Sequence, residues 1–84
     1  MTFKLIFSEE SLSQLKKLDN PTAKRILDKL DSAIEDPVHF FQRLAGREEY
    51  NLRVGDYRVI SRIIFNEKTL VILSVGHRKN IYKK

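Results

Sequence analysis

The spacing of apolar residues along the chain runs from strand-like to helical and back to strand-like. Near the start Phe3, Leu5 and Phe7 alternate with Lys4 and Ile6, the period-two pattern of a short strand. Ser8 ends it, and Ser8-Glu9-Glu10 gives a helix N-cap with acidic groups at the positive end of the helix dipole. Leu12, Leu15 and Leu18 then form a narrow apolar stripe on a first helix. Asn20-Pro21 is a second start signal, with Asn20 as the cap. Ala23, Ile26, Leu27, Leu30 and Ile34 continue on one face until Asp36, the expected stop before Pro37. So short a link between the helices predicts an antiparallel pair with their leucine faces on a common core.

Residues 38–46, VHFFQRLAG, read as a connector anchored by Phe40, Phe41 and Leu44, with a turn at Gly46. Strands follow. Tyr50, Leu52 and Val54 alternate with Glu49, Asn51 and Arg53; Tyr57 to Phe65 is long and β-branched; Leu70 to Val75 is almost wholly apolar. Gly55-Asp56 suits a two-residue type II′ turn and residues 66–69, NEKT, a four-residue loop. The predicted order is β-α-α-β-β-β: one α+β domain over residues 1–84, with the helix pair packed on one face of a mainly antiparallel sheet.

Strand pairing sorts the side chains by face. A two-residue turn at Gly55-Asp56 sets Val54 opposite Tyr57, Arg53 opposite Arg58, Asn51 opposite Ile60 and Glu49 opposite Arg62, and opposite residues share a face. Tyr50, Leu52, Val54, Tyr57, Val59, Ile63 and Phe65 then make a dry face for the helices. Glu49, Asn51, Arg53, Arg58 and Arg62, with Ile60 and Ile64, make a basic one. Carrying the register through the second hairpin pairs Phe65 with Leu70 and Arg58 with His77, while Arg78 falls on the other side unless a bulge at Gly76 re-aims it. Arg62 and Glu49 read as a cross-strand ion pair. Two arginines face to face destabilise a sheet unless an anion lies between them, so Arg53 and Arg58 point to an anion site or to a solvated surface.

Charge narrows the partners. The 84 residues carry 16 Lys and Arg against 11 Asp and Glu, a net charge of +5 that falls entirely in residues 47–84. A one-sided basic field suits nucleic acid, an anionic membrane surface or an acidic protein, and no basic amphipathic helix favours the membrane. The tail HRKNIYKK adds Lys79, Tyr82, Lys83 and Lys84, mixing cations with an aromatic that could stack on a base. A chain this short buries only about 60% of its unfolded surface, so its core is economical. No apolar run approaches a membrane span, no signal peptide is evident, and no cysteine offers a disulfide or thiolate metal site; a cytoplasmic protein without a metal or cofactor is expected.

Leu44-Ala45-Gly46, the run Leu52-Arg53-Val54-Gly55-Asp56-Tyr57-Arg58 and Val75-Gly76-His77-Arg78, in this order and spacing, resemble the RelE toxins of the RelE/ParE superfamily over nearly the whole chain. The resemblance implies a type II toxin: a ribosome-dependent endoribonuclease that cuts mRNA in the A site, held inactive by a RelB-like antitoxin. It implies metal-independent chemistry, in which a ribose 2′-hydroxyl attacks the adjacent phosphate and the 5′-oxygen leaves. Arg58 and Arg78 match phosphate-stabilising positions, and Arg53 a backbone-binding one. Where well-studied members carry two lysines, this chain has Glu49 and Asn51. Glu49 is then the candidate base, His77 the candidate acid and Tyr82 the candidate stacking residue, with Asn51, Lys79 and Lys83 along the RNA. The superfamily also includes ParE-like toxins that inhibit DNA gyrase by binding, and a degenerate toxin that only binds its antitoxin is a third possibility.

Overall fold

Capping defines where the helices begin in the computed structural model, which describes residues 2–81. Helix α1 (Glu9–Lys16) starts at Ser8, whose Oγ accepts from the Ser11 N–H at 3.1 Å. Helix α2 (Asn20–Ala33) is capped one residue earlier than expected, by Asp19 rather than Asn20. The Asp19 carboxylate accepts from the Thr22 hydroxyl at 2.8 Å and the Thr22 N–H at 3.2 Å. Those two bonds hold the exposed Asp19 carboxyl below the usual carboxylate range. Asp36 does not end α2, which closes at Ala33; it precedes a one-turn helix, α3 (Pro37–Phe40). The connector thus folds into α3 and a two-residue strand, β2 (Gln42–Arg43).

Four longer strands complete a five-stranded sheet: β1 (Lys4–Phe7), β3 (Tyr50–Val54), β4 (Tyr57–Ile64) and β5 (Thr69–His77), in the order β1-β5-β4-β3-β2. All neighbours are antiparallel except β1, which lies parallel to β5 from Lys4↔Thr69 to Phe7↔Ile72. The α+β architecture agrees with the sequence pattern. The dry face forms one core. Ile26, Leu30 and Ala33 of α2 meet Leu52, Val59, Leu70, Ile72 and Val75, with Leu15 of α1 and Leu18 just after it at the margin. Leu12 and Leu27, expected in the stripe, stay exposed because they lie on the shoulders of their helices.

The β3–β4 hairpin has the expected register, Val54↔Tyr57 and Arg53↔Arg58, and Gly55 alone of its turn residues has a positive φ, +59°, as a type II′ turn requires. The second hairpin departs from expectation. β4 stops at Ile64, and Phe65–Glu67 form a 3-10 turn closed by Lys68 at φ 49°, so the loop is 65–68 and Ile63, not Phe65, lies opposite Leu70. Phe65 is half exposed instead of packed under the helices. Further along, the register slips by one: Ser61↔Ile72 is followed by Ile60↔Ser74, leaving Leu73 as an extra residue in β5. The bulge is at Leu73 and not at Gly76.

Helix α1 explains how that bulge is tolerated. Beyond Ile72 strand β1 has ended, and α1 runs along the exposed margin of β5 in its place. Ser8 Oγ donates to the Leu73 carbonyl at 2.9 Å, and the Val75 N–H donates to Gln14 Oε1 at 2.6 Å. Side chains thereby satisfy backbone groups that a neighbouring strand would have taken.

Candidate functional site

Pairing after the bulge decides which residues share the basic face. Arg58 lies opposite Gly76, not His77, and His77 lies opposite Tyr57, so the expected Arg58–His77 pair does not form. The one extra residue in β5 reverses the parity of everything after it. His77 moves to the helix-side rim, its ring edge-on to Tyr57 with centroids 5.4 Å apart, and its Nδ1 accepts from the Lys79 N–H at 3.1 Å. A neutral ring bonded this way carries its proton on Nε2. Arg78, by the same shift, continues the ladder on the Arg58 side: its N–H donates to the Asp56 carbonyl at 2.8 Å and its Nε lies 3.8 Å from Asp56 Oδ1.

Arg58 folds back on the same turn. Its Nη1 donates to the carbonyls of Gly55, at 3.1 Å, and Tyr57, at 2.9 Å. Arg58 and Arg78 therefore converge on the two residues of the hairpin turn, and each holds its guanidinium with contacts that an incoming phosphate could replace. Arg53, although directly opposite Arg58, goes elsewhere: it lines an open groove with Arg25 and Lys29 of α2. The like charges are tolerated because the two side chains part, one to the turn carbonyls and one to the helix side.

A cleft of about 300 Å³ lies beside this cluster, over the centre of the same sheet face. Its floor is Ile60, only 6% exposed, and its walls include Glu10, Arg47, Glu49, Ser74 and Ile81. Glu49 precedes β3 rather than lying in it, because residues 44–49 turn back on themselves: the Leu44 N–H donates to the Glu49 carbonyl at 2.9 Å. Its carboxylate meets Arg47, with Oε1 2.6 Å from Nη2, an ion pair by distance although no N–H points squarely at the oxygen. The expected Glu49–Arg62 pair is absent. Arg62 faces Glu48 instead, at 3.9 Å between two exposed side chains, a contact worth under about 1 kcal/mol.

The remaining candidates divide. Asn51 is largely buried, flanked by Gln42 of β2 and Ile60 of β4. Lys79 is exposed in the turn after β5 that also carries Ile81 across Gly76. Tyr82 and Lys83 lie outside the described residues. Among the described residues no three of His, Asp and Glu converge as a metal site would need, and no helix is long and apolar enough to cross a membrane. Arg25 is the residue that sequence reasoning missed: a methyl group built on Gly55 would lie 2.8 Å from its Nη2, so this α2 guanidinium sits against the hairpin tip. No local signal could have announced it, since the contact joins residues thirty positions apart.

Helices on one face of a small mixed sheet, and arginines gathered at one hairpin tip, define an α+β protein with a cationic turn. Comparison with known proteins narrows the class. A family model described as the ParE toxin of type II toxin-antitoxin system, parDE, matches residues 5–82. The mRNA interferase toxin RelE of Escherichia coli (strain K12) is 27% identical over 82 residues, covering 94% of this chain and 86% of the relative. The archaeal RelE in the RelE–RelB complex from Pyrococcus horikoshii OT3 superposes with a TM-score of 0.80 at 28% identity, over 95% of this chain and 99% of that one. The RelBE2 toxin–antitoxin complex from Mycobacterium tuberculosis gives a TM-score of 0.84 over 93% of this chain and 100% of the matched chain; at 23% identity it speaks to the fold. The chain belongs to this toxin family, as a RelE-type member of the RelE/ParE superfamily.

Proposed function

We propose that the protein is a cytoplasmic, ribosome-dependent mRNA endoribonuclease, neutralised by a RelB-like antitoxin. The observation that carries this reading is the convergence of Arg58 and Arg78 on the Gly55-Asp56 turn, on the same face as a cleft with a carboxylate in its wall. Arg58 and Arg78 hold the scissile phosphate and offset the charge that builds on it. The substrate supplies its own nucleophile: the 2′-hydroxyl loses its proton to a base, its oxygen bonds to phosphorus, and the P–O5′ bond breaks as the 5′-oxygen takes a proton from water, giving a cyclic phosphate. No metal is invoked. Glu49 is the base, oriented by Arg47, and a positioned base contributes about 10² to 10⁴ in rate. Arg53 tracks the RNA backbone. The ribosome holds the mRNA in line, an orientation effect worth about 7 to 11 kcal/mol that a surface this open does not itself supply. The RelE–RelB assemblies among the structural relatives support the antitoxin as partner.

Mapping mRNA ends on translating ribosomes tests the reading. Wild-type protein should produce new ends within codons at the A site, and Arg58→Ala should lower the rate by about 10² to 10³, the usual effect of removing one positioned donor. Equal cutting by both proteins would sink the assignment. A second reading, a ParE-like gyrase poison, is favoured by the match to a ParE family model and by His77 turning away from Arg58. Loss of gyrase supercoiling in vitro, with ribosome-bound mRNA left intact, would replace the first reading with the second.

A further inference from the structure

The groove between α2 and β3 holds three cations that the proposed reaction does not use in full. Arg25 and Lys29 stand one helical turn apart on α2, about 6 Å along its axis, and Arg53 faces them from β3; together they line an open space of about 400 Å³. Four cations of the described residues have carboxylate partners: Lys24 has Asp28, Arg47 has Glu49, Arg62 has Glu48 and Arg78 has Asp56. Arg25 and Arg53 have none among the described residues, and Lys29 has only the face of Phe40, 5.4 Å away. Asp28, the one acid in the groove, is taken by Lys24 at 2.9 Å. The groove is thus a concentrated, uncompensated positive site.

Its position gives it a ligand. Gly55 has a guanidinium on either side: Arg25 Nη2 occupies the space a Cβ would need, and Arg58 Nη1 donates to its carbonyl oxygen. The groove and the Arg58–Arg78 cluster therefore meet at one residue and form a continuous cationic track around the hairpin tip. We propose that Arg25, with Lys29 and Arg53, forms a second phosphate-binding site, which takes an RNA backbone phosphate flanking the one held by Arg58 and Arg78. The proposal rests on the endoribonuclease reading, and it makes Arg25 and Lys29 binding residues that act on substrate affinity and not on the bond-breaking step. An acidic peptide is the competing ligand. The track's continuity with the phosphate cluster favours RNA, because a strand whose scissile phosphate lies at Arg58 and Arg78 carries its neighbouring phosphates along the same track.

The test separates this proposal from the reading it rests on. Binding of a short 2′-O-methyl RNA, which cannot be cleaved, is measured by fluorescence anisotropy across a salt series for wild type, Arg25→Gln, Lys29→Gln and Arg25→Lys. Each glutamine variant should weaken binding several-fold and reduce the slope of log K against log salt by about 0.7, while Arg25→Lys keeps most of the affinity. Amide shifts of Gly55 and Arg53 on RNA titration should report the groove directly, and Lys29→Gln guards against a hairpin disturbed by losing Arg25. On ribosomes, Arg25→Gln should require more toxin yet reach a single-turnover plateau within about twofold of wild type, whereas Arg58→Ala loses the plateau itself. Wild-type RNA affinity and slope in both glutamine variants would overturn the second site, whatever the cleavage assay reports. Stronger competition by a polyglutamate peptide than by RNA of equal charge would overturn it too, in favour of a protein-docking groove.

Discussion

Two glycines with similar backbone angles have different consequences at the scale of single residues. Gly46 (φ +71°) and Gly55 (φ +59°) both occupy the left-handed region, where an L side chain costs about 1–2 kcal/mol. A methyl group on Gly46 would meet nothing within 4 Å, whereas one on Gly55 would lie 2.8 Å from Arg25 Nη2. Gly46→Ala should therefore lower stability by about 1 kcal/mol and leave RNA binding unchanged. Gly55→Ala should cost at least as much and also push the Arg25 guanidinium off the hairpin tip, weakening RNA binding. Urea unfolding together with anisotropy on the two variants checks this, and equal RNA affinity in both would show that the Arg25 contact is incidental. The same contact explains why like charges coexist here: Arg53 and Arg58 face each other in the ladder, yet one reaches into the α2 groove and the other bonds the turn carbonyls.

Elements differ in how much of them a local stretch of sequence encodes. The β3–β4 hairpin was legible because Gly-Asp sets both turn type and register within two residues, and the alternation from Tyr50 to Val59 then sorts the faces. The register of β4 against β5 was not, because a 3-10 turn displaced the loop to 65–68 and nothing in Leu-Val-Ile-Leu-Ser-Val marks Leu73 as extra. The slip decides the site: Arg78, and not His77, shares the face of Arg58. Glu49 falls outside the ladder for a related reason, since β3 begins one residue later than the alternation suggests. The bulge persists because α1 supplies its missing partners, and this can be tested at Gln14. Gln14→Ala leaves the part-buried Val75 N–H without its acceptor and should cost about 1 kcal/mol. Hydrogen exchange should speed up at Val75 while the core amides of β4 slow-exchange as before; an unchanged Val75 rate would mean that α1 does not seal this edge.

Across the whole molecule, folding and binding draw on different forces, and salt separates them. The core is aliphatic, and the four ion pairs of the described residues join mostly exposed groups, so screening removes little stability. The +5 charge lies entirely in residues 47–84, whose clustered cations repel one another in the absence of a ligand. Added salt relieves that repulsion, so thermal stability should hold or rise slightly with ionic strength. Association with an RNA target should move the other way, because each phosphate contact releases a condensed counterion. With Arg25, Lys29, Arg53, Arg58 and Arg78 engaged on single-stranded RNA, log K should fall with log salt at a slope of roughly −3 to −4, about a hundredfold between roughly 50 and 200 mM. Sedimentation with ribosomes at fixed magnesium, paired with thermal unfolding in the same buffers, measures both trends. Association that ignores salt would mean that apolar contacts hold the complex and that the arginine track around the hairpin takes no part in it.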